Sequence, residues 1–264
     1  MKVVKPGSTV SLKDHDPAGT GKYASAEEAN ATLQKHIDEL IKLQNLLYAE
    51  NRRAVLVILQ GMDTSGKDGT IRHVMSGLSP QGVHVHSFKA PTPEELAHDF
   101  LWRVHKVVPP HGAIGIFNRS HYEDVLVVRV RELAPRKVWA ARYQQINHFE
   151  RMLVKNGVII LKFFLHISKA EQKQRLEERL NDPTRYWKFS LHDVEERGFW
   201  SAYRKAYEVA LSECSTKWAP WHVVPADHKW YRNLVVAETI VGALRDLKME
   251  YPPPTVDLSK IVIE

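Results

Sequence analysis

A glycine-rich stretch in the first third of the chain has the residue types needed to bind phosphate. Residues 61–70 read GMDTSGKDGT and match the phosphate-binding loop pattern G-x-x-x-x-G-K-[ST], except that Asp68 replaces the final Ser or Thr. In such a loop the backbone N–H groups surround an anionic phosphate at a helix N-terminus, where the helix dipole favours negative charge. Lys67 adds a positive charge toward the distal phosphates. The loop therefore predicts phosphoryl-transfer chemistry; the alternative is a glycine-rich turn with an exposed lysine.

Two carboxylates in this loop indicate a divalent cation. Asp63 and Asp68 would repel bound phosphates unless a cation screens them, and Mg²⁺ commonly joins carboxylates to substrate phosphates. We therefore expect Mg²⁺ as the cofactor. Asp63 has an alternative interpretation as a loop aspartate that bonds to its own backbone.

A second polar cluster follows a short apolar run. Residues 117–124 read FNRSHYED, with Asn118 where an ordinary phosphate-loop enzyme has its Walker B aspartate and with carboxylates later at Glu123 and Asp124. In open α/β sheets ligands bind outside the carboxyl ends of the strands, so these groups should lie near a bound nucleotide. Arg119 suits bidentate phosphate binding; its alternative role is a surface salt bridge.

A third, basic segment lies further along the chain. Residues 175–188 include Arg179, Arg185 and Lys188, at the point where nucleotide kinases carry an arginine-bearing lid. Such a lid closes over the phosphates and stabilises charge on the transferring group. We expect the lid at about residues 178–200. The alternative is a solvated helical face whose arginines pair with neighbouring glutamates.

Alternating strands and helices must position these three groups. β-Strands are predicted at residues 54–59, 83–88, 113–117, 158–167 and 221–225; the first reads as buried on both faces and the second as alternating. Helices are predicted at residues 26–50, after the phosphate loop, from Thr92, around 139–153, from 168 to 181, at 199–217 and at 229–248. This alternation predicts an α/β fold with a parallel sheet of about five strands and helices on both faces. Residues 1–24 are interpreted as an N-terminal arm, and residues 25–264 as one kinase domain.

Composition narrows the functional classes. The 264-residue chain is 44% hydrophobic and 26% charged, which excludes wholesale disorder. Its 37 Lys and Arg exceed its 31 Asp and Glu, and the resulting formal charge of +6 favours anionic partners. No block of Lys and Arg is present, so we expect no nucleic-acid partner. The 14 histidines show no metal-ligand spacing. The lone Cys214 cannot form an internal disulfide, and no apolar run is long enough to span a bilayer, so we expect a cytoplasmic protein with no membrane segment.

Four segments together resemble the polyphosphate kinase 2 family. They are residues 61–70, 117–125, 186–190 and 219–232, and the resemblance extends from about residue 30 to 250. It implies a thymidylate-kinase-like phosphate-loop fold and Mg²⁺-dependent phosphoryl transfer between inorganic polyphosphate and AMP, ADP or ATP. The FNRSHYED sequence is similar to that of class III members, which phosphorylate nucleoside mono- and diphosphates. Family members are commonly tetramers, and the predicted long helices could supply contacts between subunits.

The resemblance also implies roles for individual residues. Asp63, Lys67, Arg119 and Asp124 would be catalytic, with Asp63 and Asp124 holding the metal. Asn118 and Glu123 would contact the acceptor nucleotide. Polyphosphate would contact a larger set: Gly61, Thr64, Ser65, Gly66, Lys67, Asp68, Gly69, Thr70, Arg179, Arg185 and Lys188. Two other functions stay open: an ATP-dependent nucleotide or nucleoside kinase on the same fold, and a basic, non-catalytic module that binds phosphate or nucleic acid.

Overall fold

A mostly parallel sheet of six strands organises the protein, for which a computed structural model describes residues 1–263. The strands are β1 Lys2–Val3, β2 Ala54–Gln60, β3 Val83–Ser87, β4 Ile114–Asn118, β5 Val158–His166 and β6 Trp221–Pro225. Their order across the sheet is β1-β6-β5-β2-β4-β3, and only β1 runs antiparallel to its neighbour. The predicted α/β fold is confirmed.

The structure contains one strand more than the sequence predicts. Strand β1 lies in the segment interpreted as an irregular arm, and its two residues pair with β6 next to a buried Val4. Two residues are too few to give a periodic pattern, so the pairing is set by tertiary contact. The separation of an arm at residues 1–24 from a kinase domain stays a prediction.

Helices cover both faces of the sheet. They are α1 Ala26–Glu50, α2 Lys67–Val74, α3 Pro93–Leu96, α4 Trp102–His105, α5 Val127–Val130, α6 Arg136–Lys155, α7 Lys169–Asn181, α8 Leu191–Gly198, α9 Trp200–Glu213 and α10 Lys229–Asp246. Short 3₁₀ helices occur at Leu12–Asp14, Pro80–Gly82, His121–Val125, Pro183–Lys188 and Leu258–Lys260. No helix among residues 1–263 has the length and apolarity to cross a bilayer.

Residue alternation in the central strands divides the core in two. Leu56 and Ile58 of β2 pack with α6 and α9 on one face, whereas Val55 and Val57 pack with α1 and α10 on the other. Every residue of β2 is buried, as expected for a central strand of a parallel sheet. Helices α1 and α10 therefore direct their apolar faces inward.

Side-chain caps fix where several helices begin. Ser25 accepts a hydrogen bond from the N–H of Glu28, which confirms the predicted start of α1. At Thr92 both bonds of a capping box are present, but the helix ends at Leu96, after a single turn.

The register of the parallel strands brings the predicted site together. Leu59 of β2 pairs with Asn118 of β4, so the phosphate loop and the FNRSHYED segment leave adjacent strands at the same edge of the sheet. Strand β5 lies on the other side of β2 and leads into α7.

Candidate active site

The phosphate loop has the backbone shape that its glycines predict. Gly61, Thr64 and Gly66 all have positive φ, at 157°, 61° and 97°. A Cβ atom at Gly61 would lie 2.7 Å from the carbonyl oxygen of Leu165, so only glycine fits there. The backbone N–H groups of residues 66–69 form no backbone hydrogen bond within the described chain. They are free donors at the start of α2, as an anion requires.

Lys67 lies beneath this loop without a carboxylate partner among residues 1–263. Its ammonium group donates to the carbonyl oxygens of Gly61 at 2.8 Å and Met62 at 3.3 Å, and the residue is 8% exposed. Burial, with repulsion from Arg119, lowers the pKa of Lys67 to about 8. The lysine therefore has no carboxylate in contact among the described residues, although Asp63, Glu123 and Asp68 attract it from further away.

Three buried hydroxyl groups of the loop also lack partners. Thr64 Oγ1, Ser65 Oγ and Thr70 Oγ1 form no hydrogen bond within the described residues. Buried hydroxyls are normally bonded, and exceptions call for a ligand, an ion or water. Together with the free N–H groups, they fit a loop built around a polyanion and its cation.

Arg119 connects the loop to the second motif. Its backbone N–H bonds to Leu59 at 3.0 Å and its φ is 62°, while its guanidinium donates to Asp63 at 2.7 Å and lies 3.6 Å from Glu123. Attraction to Glu123 and to Asp63, against the cost of burial, raises the pKa of Arg119 above its ordinary value. The structure therefore contains the alternative role, an ion pair, but this pair joins residues 117–124 to the phosphate loop. The Arg119 side chain is still 41% exposed, so a phosphate can reach it.

Two departures from the ordinary phosphate-loop pattern lie in contact. Asn118, in the Walker B place, donates its amide hydrogen to Asp68 Oδ1 at 2.5 Å. Asp68 occupies the place of the usual Ser or Thr. The carboxylate that is missing from the end of β4 is thus supplied by the loop on the neighbouring strand.

Asp124 has different surroundings from Asp63. Arg142 donates to its carboxylate at 2.9 Å and to its carbonyl oxygen at 3.2 Å, and Arg103 lies 4.0 Å away. Burial raises the pKa of Asp124 to about 6, although Arg142 and Arg103 oppose the shift. Asp124 does not line the cavity that contains Asp63 and Arg119. Its metal-binding and catalytic roles stay predictions.

The cavity beside the loop has a charged wall and an aromatic wall. Asp63, Arg119 and Glu123 form the first. Its other lining residues are Gly61, Met62, Val127, Gln172, His192, Asp193, Glu196, Trp200, Tyr203 and Tyr207. The aromatic side chains lie one, four and eight residues into α9, a spacing that puts them on one helical face and that could have been found in the sequence.

The cations of the predicted lid are paired within the lid. Arg179 donates to Asp193 at 2.9 Å, Arg185 lies 2.8 Å from Asp182, and the Lys188 ammonium lies 4.7 Å from the ring centre of Trp187. Their contact with polyphosphate stays a prediction, since it requires these pairs to open or share a ligand.

Three side chains that sequence reasoning did not assign to the site hold successive carbonyl groups of the loop. Gln172 donates to Asp63 O at 3.1 Å, Arg175 to Thr64 O at 2.9 Å and Arg232 to Ser65 O at 3.2 Å. Arg175 forms the anticipated pair with Glu171 at 2.8 Å as well, so the alternative of a purely solvated helical face is wrong for this residue. The other amide atom of Gln172, its oxygen, accepts a hydrogen bond from Arg197 of α8 at 2.8 Å.

A network of buried polar side chains supports the FNRSHYED segment from the core of the protein. The Lys162 ammonium, 0% exposed, donates to Glu150 at 2.6 Å, Tyr122 at 2.8 Å and the Cys214 carbonyl at 2.7 Å. Tyr122 donates to Glu150 at 2.7 Å, and His121 lies 3.3 Å from the same oxygen. Burial opposes ionisation of Glu150, but Lys162 and His121 outweigh it and lower its pKa. His121 is thus part of the buried core.

Comparison with known proteins matches nearly the whole chain. The family model described as Polyphosphate kinase 2 (PPK2) matches residues 23–252. An AMP/ADP-polyphosphate phosphotransferase of Meiothermus ruber is 53% identical over 99% of this chain and 98% of its own length. An ADP-polyphosphate phosphotransferase of Rhodopseudomonas palustris is 48% identical over 88% of this chain and 85% of its own.

A solved structure has the same fold. The crystal structure of polyphosphate kinase 2 from Arthrobacter aurescens superposes with a TM-score of 0.93 at 43% identity, covering 98% of this chain and 96% of that one.

Proposed function

The chain belongs to the polyphosphate kinase 2 family, and on that premise we propose that it transfers phosphoryl groups between inorganic polyphosphate and nucleotides. The reactions are AMP to ADP and ADP to ATP, and both are reversible. One observation carries the proposal: a buried Lys67 without an ion-pair contact among the described residues, and free loop N–H groups, lie beside a cavity lined by Arg119 and Glu123. The names of the relatives from M. ruber and R. palustris give the donor and the acceptors.

The residues of the site fit Mg²⁺ as the cofactor. Mg²⁺ in kinases usually binds one or two carboxylates, substrate phosphates and several waters, without a cage of protein ligands. No group of three or more metal-binding side chains occurs within residues 1–263, whereas Asp63 and the unpaired loop hydroxyls offer oxygen atoms. Asp63 is the first ligand that we propose. Asp124 is the second, through the carboxylate oxygen that does not bond to Arg142. When bound, the ion neutralises phosphate charge and aligns donor with acceptor.

The protein residues act mainly by position and charge. Phosphoryl transfer needs alignment and charge neutralisation more than covalent catalysis. The loop N–H groups and Lys67 hold the polyphosphate end. Arg119 exchanges part of its contact with Asp63 for the transferring phosphoryl group, and the lid cations Arg179, Arg185 and Lys188 close over the chain. Asn118 and Glu123 contact the acceptor nucleotide.

The aromatic wall of the cavity is suited to the acceptor. Trp200, Tyr203 and Tyr207 line the same cavity as Asp63, Arg119 and Glu123, and aromatic side chains stack readily on nucleobases. We further propose a cytoplasmic homo-oligomer, a tetramer by resemblance, with no nucleic-acid partner.

A donor exchange tests the function. Purified protein is incubated with AMP or ADP, Mg²⁺ and either polyphosphate or another nucleoside triphosphate, and the nucleotides are separated by chromatography. We expect ADP and ATP from polyphosphate, and no product after chelation until Mg²⁺ is restored. Product from the nucleoside triphosphate alone would favour the conventional kinase. Binding of polyphosphate or nucleic acid without transfer would favour the non-catalytic module.

A further inference from the structure

The guanidinium of Arg232 lies directly against the backbone of the phosphate loop. The residue is 2% exposed, and its Nη1 donates to Ser65 O at 3.2 Å. Its Nε and Nη2 donate to Asn233 Oδ1 at 3.2 and 2.9 Å. This arginine comes from the first turn of α10, on a different part of the chain from either motif.

Two glycines of the loop make room for this guanidinium. A Cβ atom at Gly66 would lie 1.8 Å from Arg232 Nη1, and one at Gly69 would lie 3.3 Å from Nη2. A side chain at Gly66 would displace the guanidinium from its place against the loop, and one at Gly69 would be packed more tightly against it than is ordinary. Gly66 is therefore required both by its left-handed backbone and by the arginine beneath it.

Arg232 has no compensating carboxylate among the described residues. Its protein partners are a carbonyl group and a neutral amide, and its pKa falls to about 9 because of burial and repulsion from Arg175. Arg175, by contrast, has Glu171 at 2.8 Å. A buried charge without a partner destabilises a protein strongly unless something else neutralises it.

The contact also orients the loop. A peptide group is planar and trans, so its N–H points away from its C=O. Fixing Ser65 O with Arg232 therefore directs the N–H of Gly66 away from the guanidinium. That N–H and those of the next three residues have no backbone acceptor in the part of the chain described.

We propose that Arg232 is a positioning residue that presents the loop N–H groups to polyphosphate and supplies a buried charge that the bound polyanion neutralises. The inference rests on the proposed function, because it takes the loop's ligand to be the phosphate chain.

Binding of inorganic tripolyphosphate to the full chain, measured by calorimetry with Mg²⁺, tests this role. We expect Arg232→Met and Arg232→Gln to weaken binding at least about tenfold, and Arg232→Lys to stay within about threefold of wild type. KM for polyphosphate should rise in the first two variants, while KM for AMP changes less than about twofold. Thermal melting identifies the folded variants, and Arg232→Gln keeps the test usable if Arg232→Met fails to fold.

Two control variants separate charge from contact. Arg53→Met removes the same charge at the opposite end of β2, where Arg53 pairs with Glu50, and should leave binding unchanged. Gln172→Leu removes a loop-carbonyl contact without changing charge and should weaken binding less than Arg232→Gln does. Equal losses in Arg232→Lys and Arg232→Met, or wild-type binding by Arg232→Gln, would overturn the inference alone. If the wild-type protein does not bind tripolyphosphate, the proposed function fails with it.

Discussion

Two buried lysines, one in a central strand and one at the start of a helix, have different surroundings. Lys162, in the middle of β5, contacts the Glu150 carboxylate, the Tyr122 hydroxyl and a carbonyl group. Lys67, at the start of α2, contacts only carbonyl groups, and its pKa is lowered to about 8. The first lysine has a carboxylate in direct contact, whereas the second is attracted only from a distance by Asp63, Glu123 and Asp68 within the described chain.

This difference predicts a structural role for Lys162 and a functional role for Lys67. A buried ion pair whose members are bonded to each other requires nothing from solution, and removing one member leaves the other unpaired. A buried cation that faces only dipoles costs stability until an anion arrives. Replacing Lys162 should therefore change the free energy of unfolding, and replacing Lys67 should change turnover.

The largest expected effect is on stability at Lys162. Lys162→Met should lower the free energy of unfolding by about 3–5 kcal/mol, because Glu150 is left charged and buried. Urea unfolding followed by circular dichroism measures it. The double variant with Glu150→Gln should recover part of the loss; a double variant as unstable as the sum of both single changes would contradict the pairing.

The next effect is on turnover at Lys67. Lys67→Met should reduce kcat by about 10²–10³, equivalent to ~3–4 kcal/mol of barrier, because a charge on the transferring phosphates is lost. The melting temperature should not fall, since no carboxylate loses its partner. Steady-state assays with polyphosphate and AMP test the prediction, and turnover within tenfold of wild type would show that Lys67 does not act on the reaction.

A smaller effect is the pH dependence of binding. With a pKa of about 8, Lys67 in the free protein loses its proton as pH rises, so tripolyphosphate should bind about tenfold more weakly at pH 9 than at pH 7. In the unfolded chain the lysine keeps that proton up to its ordinary pKa of 10.5. The free energy of unfolding of the unliganded protein should therefore increase as the pH rises over the same range. Calorimetry measures the binding trend and melting curves measure the stability trend, each for wild type and for Lys67→Met at the same pH values. If the variant shows the same pH dependence as wild type, Lys67 is not the source of either trend.

The smallest effect concerns acceptor choice. Glu123 lines the cavity 3.6 Å from Arg119, so Glu123→Asn should change the ratio of kcat/KM for AMP and ADP by about threefold or more. Glu195→Gln, on the exposed side of α8, is the matched control and should leave the ratio unchanged. An unaltered ratio in Glu123→Asn would exclude it from selectivity.

Local patterns predicted most of the sheet and the phosphate loop. Continuous apolar runs placed β2, β4 and β5 within about a residue of their observed bounds, because buried parallel strands and their flanking turns are encoded locally. The placement of Lys67 and Arg119 at one sheet edge followed from the same pattern.

Contacts between distant segments could not be predicted in this way. Arg232 is 167 positions from Ser65, and their contact depends on where α10 packs against the sheet. The bond between Asn118 and Asp68 likewise needs the register of β2 and β4. Asn118 and Asp68 each depart from the ordinary phosphate-loop pattern, and only their contact shows that a carboxylate still lies at the end of β4.

The side-chain amide of Gln172 joins the phosphate loop to α8, which lies in the predicted lid. Its nitrogen bonds to Asp63 O in the loop and its oxygen accepts from Arg197 in α8, so both ends of one amide are in use. A displacement of α8 must therefore either carry this amide along, and disturb the loop, or break a hydrogen bond. A movement of α8 would therefore be coupled to the position of the phosphate loop through the planar amide group of Gln172.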